Sequence, residues 1–600
     1  MLQTEQRKRP GKALQTNRIG SAGAEELALR ATLRALLNCY FREKGIADPR
    51  TEKREGMGPS EPGETFAISW DSGGGITVEG TLAYSSRIGQ HDYGPAFEEI
   101  GPDGTRRPLS SERLIALLLE DASRSGPPDS RAANLIAVGE RVENSLRNMG
   151  RYIDQAWRRE SGEDAPLDFI RSEQSLLCGH PFHPYPKSSE GFAEDELGRY
   201  SPELGASFRL CYIAVHRRYV SEEWAGEEMQ IPPSDAAALA RERLGGRAEE
   251  YALLPMHPWQ MAFLLRQPGL QELIGRSEIV DLGPAGPVVY PTSSVRTVWD
   301  PDTGDGYKLP LHVRITNLVR DNTPEQARRT LDAARIVRRL GDEPGGEGFV
   351  ILAETGCSQV SFETEAAAEW SAGFTVIHRP LHFPKETTFV LASLLEPTPG
   401  QKEPKLANAV RHGSGGTLPD WSEWLERYLE LSLLPLLRLA AERGVGFEAH
   451  LQNSLLTLKQ GWPDRFYVRD LEGVSVDRRK AAEAGWTGSL VDENSPVLYE
   501  AAEVWHRTKY YFVVNHLGSL IHAIAAYAGE DERVYWAVVS RLLRRERQRS
   551  SGRLGELIDD LLGGDTLPAK ANLMSCMAGR GETPLFVPIP NPIKETRIHD

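Results

Sequence analysis

PTSSVRTVWDPDTGDGYKLPLHVRITNLVR, Pro291 to Arg320, reads as strand, turn and strand with a cation at each step. Arg296 is followed twelve residues later by Lys308 and twelve later again by Arg320. Ser293, Ser294 and Thr297 surround Arg296 with hydroxyls, and a guanidinium fork among hydroxyls makes an anion cradle. The β-branched runs on either side predict a sheet whose adjacent strands carry all three cations, able to converge on a triphosphate and a carboxylate. On this segment alone, three ordinary surface cations is the plainer reading.

Outward from this stretch the texture repeats. FRLCYIAV, PVVYPT, GFVILAE and AGFTVIHR are short β-branched or aromatic runs separated by turns, with helices expected at 234–244 and 324–339. Toward the N-terminus, Leu29, Leu33, Leu36, Leu37 and Tyr40 recur at helical spacing up to Gly45. Phe66 to Trp70, glycines 73–75 and Ile76 to Val78 read as a hairpin. Ser110 and Ser111 can cap a helix over Leu114 to Leu119, and another is expected at 132–158. Beyond the Pro- and Gly-rich Glu396 to Pro404, helices dominate: one over Trp421 to Gly444 broken by Pro435, and one near 502–526. The fold class expected is α+β and multidomain, with a mixed or antiparallel sheet in the middle and a helix-rich C-terminal part.

The 600 residues allow two to four domains, and 40% hydrophobic with 26% charged residues is ordinary for a soluble protein. A formal net charge of −15 disfavours a broad nucleic-acid surface. The basic clusters Arg7 to Lys12 and Arg541 to Arg549 read as a disordered tail and a solvated helix face. No secretory signal and no apolar run of about 20 residues is present, so no membrane association is expected. Five scattered cysteines without a C-x-x-C pair point to a reducing cytoplasm and away from iron–sulfur centres.

Two further segments carry chemistry. EAHLQNSLL sets Glu448, His450, Gln452 and Asn453 against an apolar run, and as a strand Glu448, His450 and Gln452 share a face. A core histidine satisfied by its glutamate is the bland alternative, but four polar groups in six residues are costly to bury without a ligand. Twenty residues after His450, FYVRDLEG places Asp470 and Glu472 on one face at a strand exit. Carboxylates with an asparagine suit Mg²⁺. GHPFHPYPKSSEGF (Gly179 to Phe192) carries His180, His183 and Lys187 on a loop that three prolines keep out of helix and strand. Zinc does not suit H-x-x-H there, since the prolines forbid a helix and no cysteine pair completes four ligands. Walker A, G-x-G-x-x-G, G-x-S-x-G and kinase signatures are missing, so any nucleotide would be held by scattered cations and hydroxyls.

These segments, with MHPWQ (Met256 to Gln260) and LPAKANL, resemble in order the IucA/IucC family of NRPS-independent siderophore synthetases, from about residue 175 to the C-terminus. The resemblance implies thumb, fingers and palm parts, here 1–178, 179–395 and 396–600, with ATP and a carboxylic acid bound between fingers and palm. It implies adenylation of a carboxylate with ATP and Mg²⁺, then attack by an amine or hydroxyl with release of AMP. By position it assigns Ser293, Arg296, Thr297 and Lys308 to the triphosphate, and Gln452 and Asn453 to the nucleotide. Glu448 and Asp470 fall to magnesium, and Thr316, Arg320, His450 and Lys570 to a citrate-like acid. Arg320, His450 and Lys570 are the catalytic candidates, and His180, His183 and Lys187 form a loop closing on the nucleotide. KLPLHVRITNLVRDN resembles the citrate-using members most, and a homodimer is expected from the family's habit. The chain departs from the family at Ser188-Ser189 and in ANLMSCMAGR, which touches the lid's ligands and Arg580. The alternatives are a synthetase for an already-substituted citrate or a succinyl-amine, a ligase forming ADP and an acyl phosphate, and a ferric-chelate binder or ferric reductase.

Overall fold

Leu33, Leu36, Leu37 and Tyr40 lay one buried apolar stripe along the helix Ser21–Glu43, which packs against the long helix Arg131–Glu160. The structure, a computed structural model, describes residues 21–50, 64–70, 75–160, 166–227, 229–341, 346, 348–581 and 583–595. The Arg7 to Lys12 cluster and glycines 73 and 74 lie outside them. The expected hairpin is there, Glu64–Trp70 against Ile76–Tyr84, and Asp92–Ile100 and Arg106–Leu109 extend it to four antiparallel strands. Ser110 accepts the Arg113 N–H at 3.2 Å and caps the helix Ser111–Ser123.

The central sheet has eight strands, antiparallel at every pairing, in the order Val220–Trp224, Gly356–Val360, Val376–His378, Gly306–Lys308, Thr297–Trp299, Ile279–Pro291, Phe208–His216, Tyr251–Met256. The helices Ser234–Leu244 and Pro324–Leu340 form as expected. Two runs expected in this sheet belong elsewhere. Phe349–Leu352 pairs in parallel with Trp462–Arg469, in a four-stranded sheet with Ser454–Lys459 and Thr388–Val390. There Phe349 stacks on Phe466. Leu311–Ile315 joins Leu318–Arg320 and Ser189–Glu190 in a separate small sheet. A local run gives its strand propensity but not its partner.

The C-terminal helices break where hydrogen bonding demands. The interruption expected at Pro435 falls at Ser432, between Trp421–Leu431 and Leu433–Arg438. Proline's missing N–H and its ring both act on the carbonyl four residues earlier, so the defect lies upstream. The Ser432 hydroxyl donates to the Tyr428 carbonyl at 2.7 Å across the break. Gly444, at φ 69°, ends the helix in the left-handed conformation, and a Cβ there would stand 2.7 Å from that of Asp477. The helix expected at 502–526 runs as Ala501–Thr508, a wider π-type stretch Lys509–Leu517, and Gly518–Ala528. Arg545 and Arg547 pair with Glu426, Glu430 and Asp559, so that face is solvated and internally neutralised.

Burial has a consequence for acid stability. It pushes the imidazoles of His183, His257 and His516 down to about 3, and those of His91 and His378 to about 4. Unfolded histidine titrates near 6.5, so below that pH the unfolded chain takes up protons that the folded chain refuses. Each such histidine contributes stability that is complete above about pH 6.5 and is lost at about 1.4 kcal/mol per pH unit as pH falls toward its folded value. The melting temperature should be flat from pH 8 to 7 and drop steeply from 6 to 4.5. A curve flat down to pH 5 would contradict this account.

Candidate active site

The turn after Pro291 is tight and strained. Val295 has φ 67°, unusual for a β-branched residue, and the Val295 and Arg296 N–H groups close on Thr292 and Ser294 carbonyls at 2.8 Å each. This drives the Arg296 side chain inward, where one guanidinium nitrogen donates to the carbonyls of Arg320 (2.9 Å) and Asp321 (3.1 Å) and to Asn322 Oδ1 (2.6 Å). Asn322 in turn donates to the carbonyls of Lys308 and Thr375. The three cations therefore do meet, but not on adjacent strands of one sheet. Thr297 and Lys308 are direct antiparallel partners, whereas Arg320 comes from the small separate sheet and is brought in by Arg296 itself. Thr316, also at positive φ (57°), shares the Arg320 turn and accepts from its guanidinium at 3.3 Å.

Opposite stands the Glu448 to Asn453 segment. It is not the strand that alternation suggested: it passes into a single 3₁₀ turn, Leu451–Asn453, capped by His450. His450 Nδ1 accepts the Asn453 N–H at 3.4 Å. Burial, opposed by Glu448, holds the imidazole below its usual pKa. His450 is thus neutral at pH 7 and presents Nε2–H as a donor. Glu448 is held by Arg507, and Gln452 donates to the Ser293 hydroxyl at 3.4 Å.

Between these walls lies a linked cluster of buried charges. Lys308 Nζ sits 2.8 Å from Asp470 and 2.7 Å from Glu472. Arg379 bridges Asp470 (2.9 Å) and the buried Glu354 (2.5 Å), and Glu354 accepts the Leu471 N–H at 3.1 Å. Burial pushes the Asp470 carboxyl up, but Arg379 and Lys308 overcome it and hold Asp470 well below the carboxylate range. Asp470 itself has φ 75°. Burial, with Arg296 close by, brings Arg320 down to about 10. A second buried pair, Arg469 with Glu173 at 2.5 Å, braces the turn: Glu173 accepts the Ser293 N–H at 2.9 Å and Arg469 donates to the Gln452 carbonyl.

The proline-rich loop closes one side. His180 and His183 use Nδ1 to accept the N–H groups of Phe182 and Tyr185, and burial keeps both imidazoles neutral. They therefore carry no charge; His183 keeps an Nε2–H donor, while Nε2 of His180 is engaged by the Asn515 side-chain amide at 3.0 Å. Lys187 is paired with the buried Glu203 at 2.7 Å, and its backbone is fastened to Ser145 and Asn148.

A cavity of about 890 Å³ is lined by His180, His183, Lys187, Ser293, Arg296, Thr297, Lys308, Thr316, Arg320, Glu448, His450, Gln452, Asn453 and Asp470, every site residue expected from the sequence but one. Lys570 stands behind that wall, its ammonium donating to Tyr511 Oη at 2.9 Å and lying over the Tyr510 and Tyr511 rings. Sequence reasoning missed Arg379, Glu354, Glu173, Arg507 and Glu203. Arg379, Glu354 and Glu203 are single charges in apolar or loop contexts, and Glu173 and Arg507 stand on helices among other charged residues, so none is marked by a local pattern. Among the described residues no three or more of His, Cys, Asp or Glu are grouped to enclose a metal, and no helix is long and apolar enough to cross a membrane. The cavity offers carboxylate pairs beside cations, which suits a hard cation that takes its other ligands from phosphate and water.

Fold and cavity define a class: a cleft between sheet and helices with buried cations set to hold a polyanion beside paired carboxylates. The IucA/IucC family model matches residues 168–396, and a second model, ferric iron reductase FhuF-like transporter, matches 422–585. The L-2,3-diaminopropanoate–citrate ligase of Staphylococcus aureus is 35% identical over 94% of this chain and 96% of its own length. The spermidine–citrate ligase of Bacillus anthracis is 26% identical over 95% and 98%. The ATP-bound aerobactin synthetase IucA of Klebsiella pneumoniae shares the fold at TM-score 0.80 and 23% identity, over 94% of this chain and 99% of that one. The chain belongs to the IucA/IucC family. The ferric reductase reading is not favoured: the segment matched by that model holds a single cysteine, Cys576, buried against Tyr185.

Proposed function

We propose that the cavity binds ATP and citrate, joins a citrate carboxylate to the α-phosphate as an acyl adenylate with release of pyrophosphate, and passes the acyl group to an amine with release of AMP. The observation that carries this is the convergence of Arg296, Lys308, Arg320 and Arg379 on one buried cleft. A carboxylate attacking a polyphosphate is one anion attacking another, and fixed cations in a partly dry site remove most of that repulsion.

Arg296, Lys308, Ser293 and Thr297 grip the phosphates, while Gln452, Asn453 and the His180–Lys187 loop close over the nucleotide. Thr316, Arg320 and the His450 N–H orient the acid, with Lys570 adding positive charge from behind Tyr511. Mg²⁺ would be held by Asp470 and Glu448, with its other ligands from phosphate and water, and would supply charge neutralisation at the phosphates. Arg379 then keeps Asp470 ionised whether or not Lys308 turns to phosphate. The amine is a polyamine, diamine or amino acid: the names of the two ligase relatives print a diamino acid, L-2,3-diaminopropanoate, and a polyamine, spermidine, and a net charge of −15 favours a cation's approach. The thumb, fingers and palm divide near 178 and 395, and a cytoplasmic homodimer completes the reading.

Hydroxylamine trapping should give a hydroxamate with citrate and none with succinate or 2-oxoglutarate, with AMP and pyrophosphate as co-products. ADP and phosphate would mean an acyl phosphate route, and preference for an already-substituted citrate would move the enzyme to a later step.

A further inference from the structure

The short helix after Lys570 begins without a cap of its own. Ala571 stands at its N-cap, where a side-chain oxygen normally satisfies the first free N–H groups, and alanine has none. The acceptor comes from the other end of the chain. Glu43, the last residue of the first helix, takes the Leu573 N–H at 2.9 Å on one carboxylate oxygen and the Met574 N–H at 2.6 Å on the other. Glu43 is 7% exposed. Its neighbour Arg42 lies 3.1 Å from the Phe182 ring centroid and donates to the Ile88 carbonyl, so the helix end is itself fixed. Lys570 lies three residues before Leu573, at the end of the strand Thr566–Lys570.

We propose that Glu43 is a positioning residue for the acid side of the site: by capping the helix that follows Lys570 it sets where the lysine ammonium stands. The inference rests on the reading of Lys570 given above. A carboxylate spent on two backbone N–H groups 530 residues away does nothing for its own helix, whose C-terminal end favours cations. It makes sense as the contact that registers the N-terminal part of the chain against the Lys570 strand. The groups facing Glu43 are Arg42 and Cys39 from its own helix and Cys576 from the capped one. Burial raises the carboxyl to about 7 against the opposing backbone donors, so protonation at lower pH removes one of the two acceptor oxygens.

The test uses the full-length enzyme with ATP, Mg²⁺, citrate and hydroxylamine. In Glu43→Ala, kcat/KM for citrate should fall at least tenfold while ATP affinity by calorimetry stays within about threefold of wild type. Glu43→Gln, which keeps one acceptor oxygen and the side chain's shape, should recover part of the loss. The wild-type profile should lose activity below an apparent pKa near 7, and this limb should be absent in Glu43→Gln. Citrate turnover unchanged in a folded Glu43→Ala, or equal losses toward citrate and ATP, would overturn the proposal. If Glu43→Ala does not fold, the glutamine variant and its pH profile decide. Lys570→Met separates the two readings: a deep loss there with Glu43→Ala unaffected sinks only the Glu43 proposal, whereas no loss in Lys570→Met removes both.

Discussion

Replacing Lys308 with alanine is expected to cut citrate-dependent AMP release at least a hundredfold and to destabilise the fold by about 3–5 kcal/mol. Lys308 is 3% exposed and contacts Asp470 and Glu472 together. Without its ammonium, Glu472 keeps only the Gln326 amide at 2.9 Å and a distant Arg296, and faces Asp470 as a like charge. Removing one partner of a buried pair leaves an uncompensated charge, which costs far more than the pair itself contributes. The carboxyl pKa values must then rise. In the wild type both carboxyls lie below their unfolded pKa, so the stability they contribute is lost as pH falls below the ordinary carboxyl range; the variant has less of it to lose, and its deficit relative to wild type should shrink as pH falls through about 4.5 to 3. Lys308→Met, which keeps the volume, should fold better than alanine and still fail to turn over. Wild-type AMP release in either variant would remove Lys308 from the site.

Lys308 also marks how far the sequence could be read. Its place relative to Arg296 and Arg320 follows a regular spacing, and that spacing, with the hydroxyls beside it, offers an anion cradle as a reading beside the plainer one of three surface cations. What spacing cannot supply is the counter-charge. Glu354 and Arg379 close the network around Asp470, but one ends the Phe349–Leu352 run and the other follows Val376–His378, each a solitary charge beside a strand. The same holds for Glu173 with Arg469, nearly 300 residues apart. Strand identity was legible from β-branched runs, while strand partnership was not. The Leu311–Ile315 run therefore was expected in the large sheet although it builds a small one, because pairing is decided by contacts distant in sequence. His450 shows the opposite failure. The alternation of Glu448, His450 and Gln452 suggested one face of a strand, yet local capping by the imidazole forms a 3₁₀ turn.

Arg296 should prove the least replaceable cation after Lys308, and the conservative change should help little. Arg296→Ala is expected to lower acid-dependent AMP release about a hundredfold, and Arg296→Lys to recover less than tenfold of that. Three acceptors of the Arg320–Asn322 turn converge on one guanidinium nitrogen, while the other terminal nitrogen lies 4.0 Å from Glu472 at the cavity wall. Lysine has a single point charge and cannot brace the turn while presenting a second donor to phosphate. Hydrogen bonds to a charged group contribute roughly 1.5–3 kcal/mol, so losing the phosphate contact alone gives ten- to a hundredfold. Losing the brace adds to it, because Arg320 and Thr316, the proposed contacts of the acid, share the released turn. The citrate KM should therefore rise in Arg296→Ala together with the fall in kcat, and Arg296→Ala with Arg320→Ala should lose less than the product of the two single effects. A strictly multiplicative double variant, or a lysine variant near wild type, would mean that Arg296 meets phosphate as a simple charge and that the Arg320 turn stands without it.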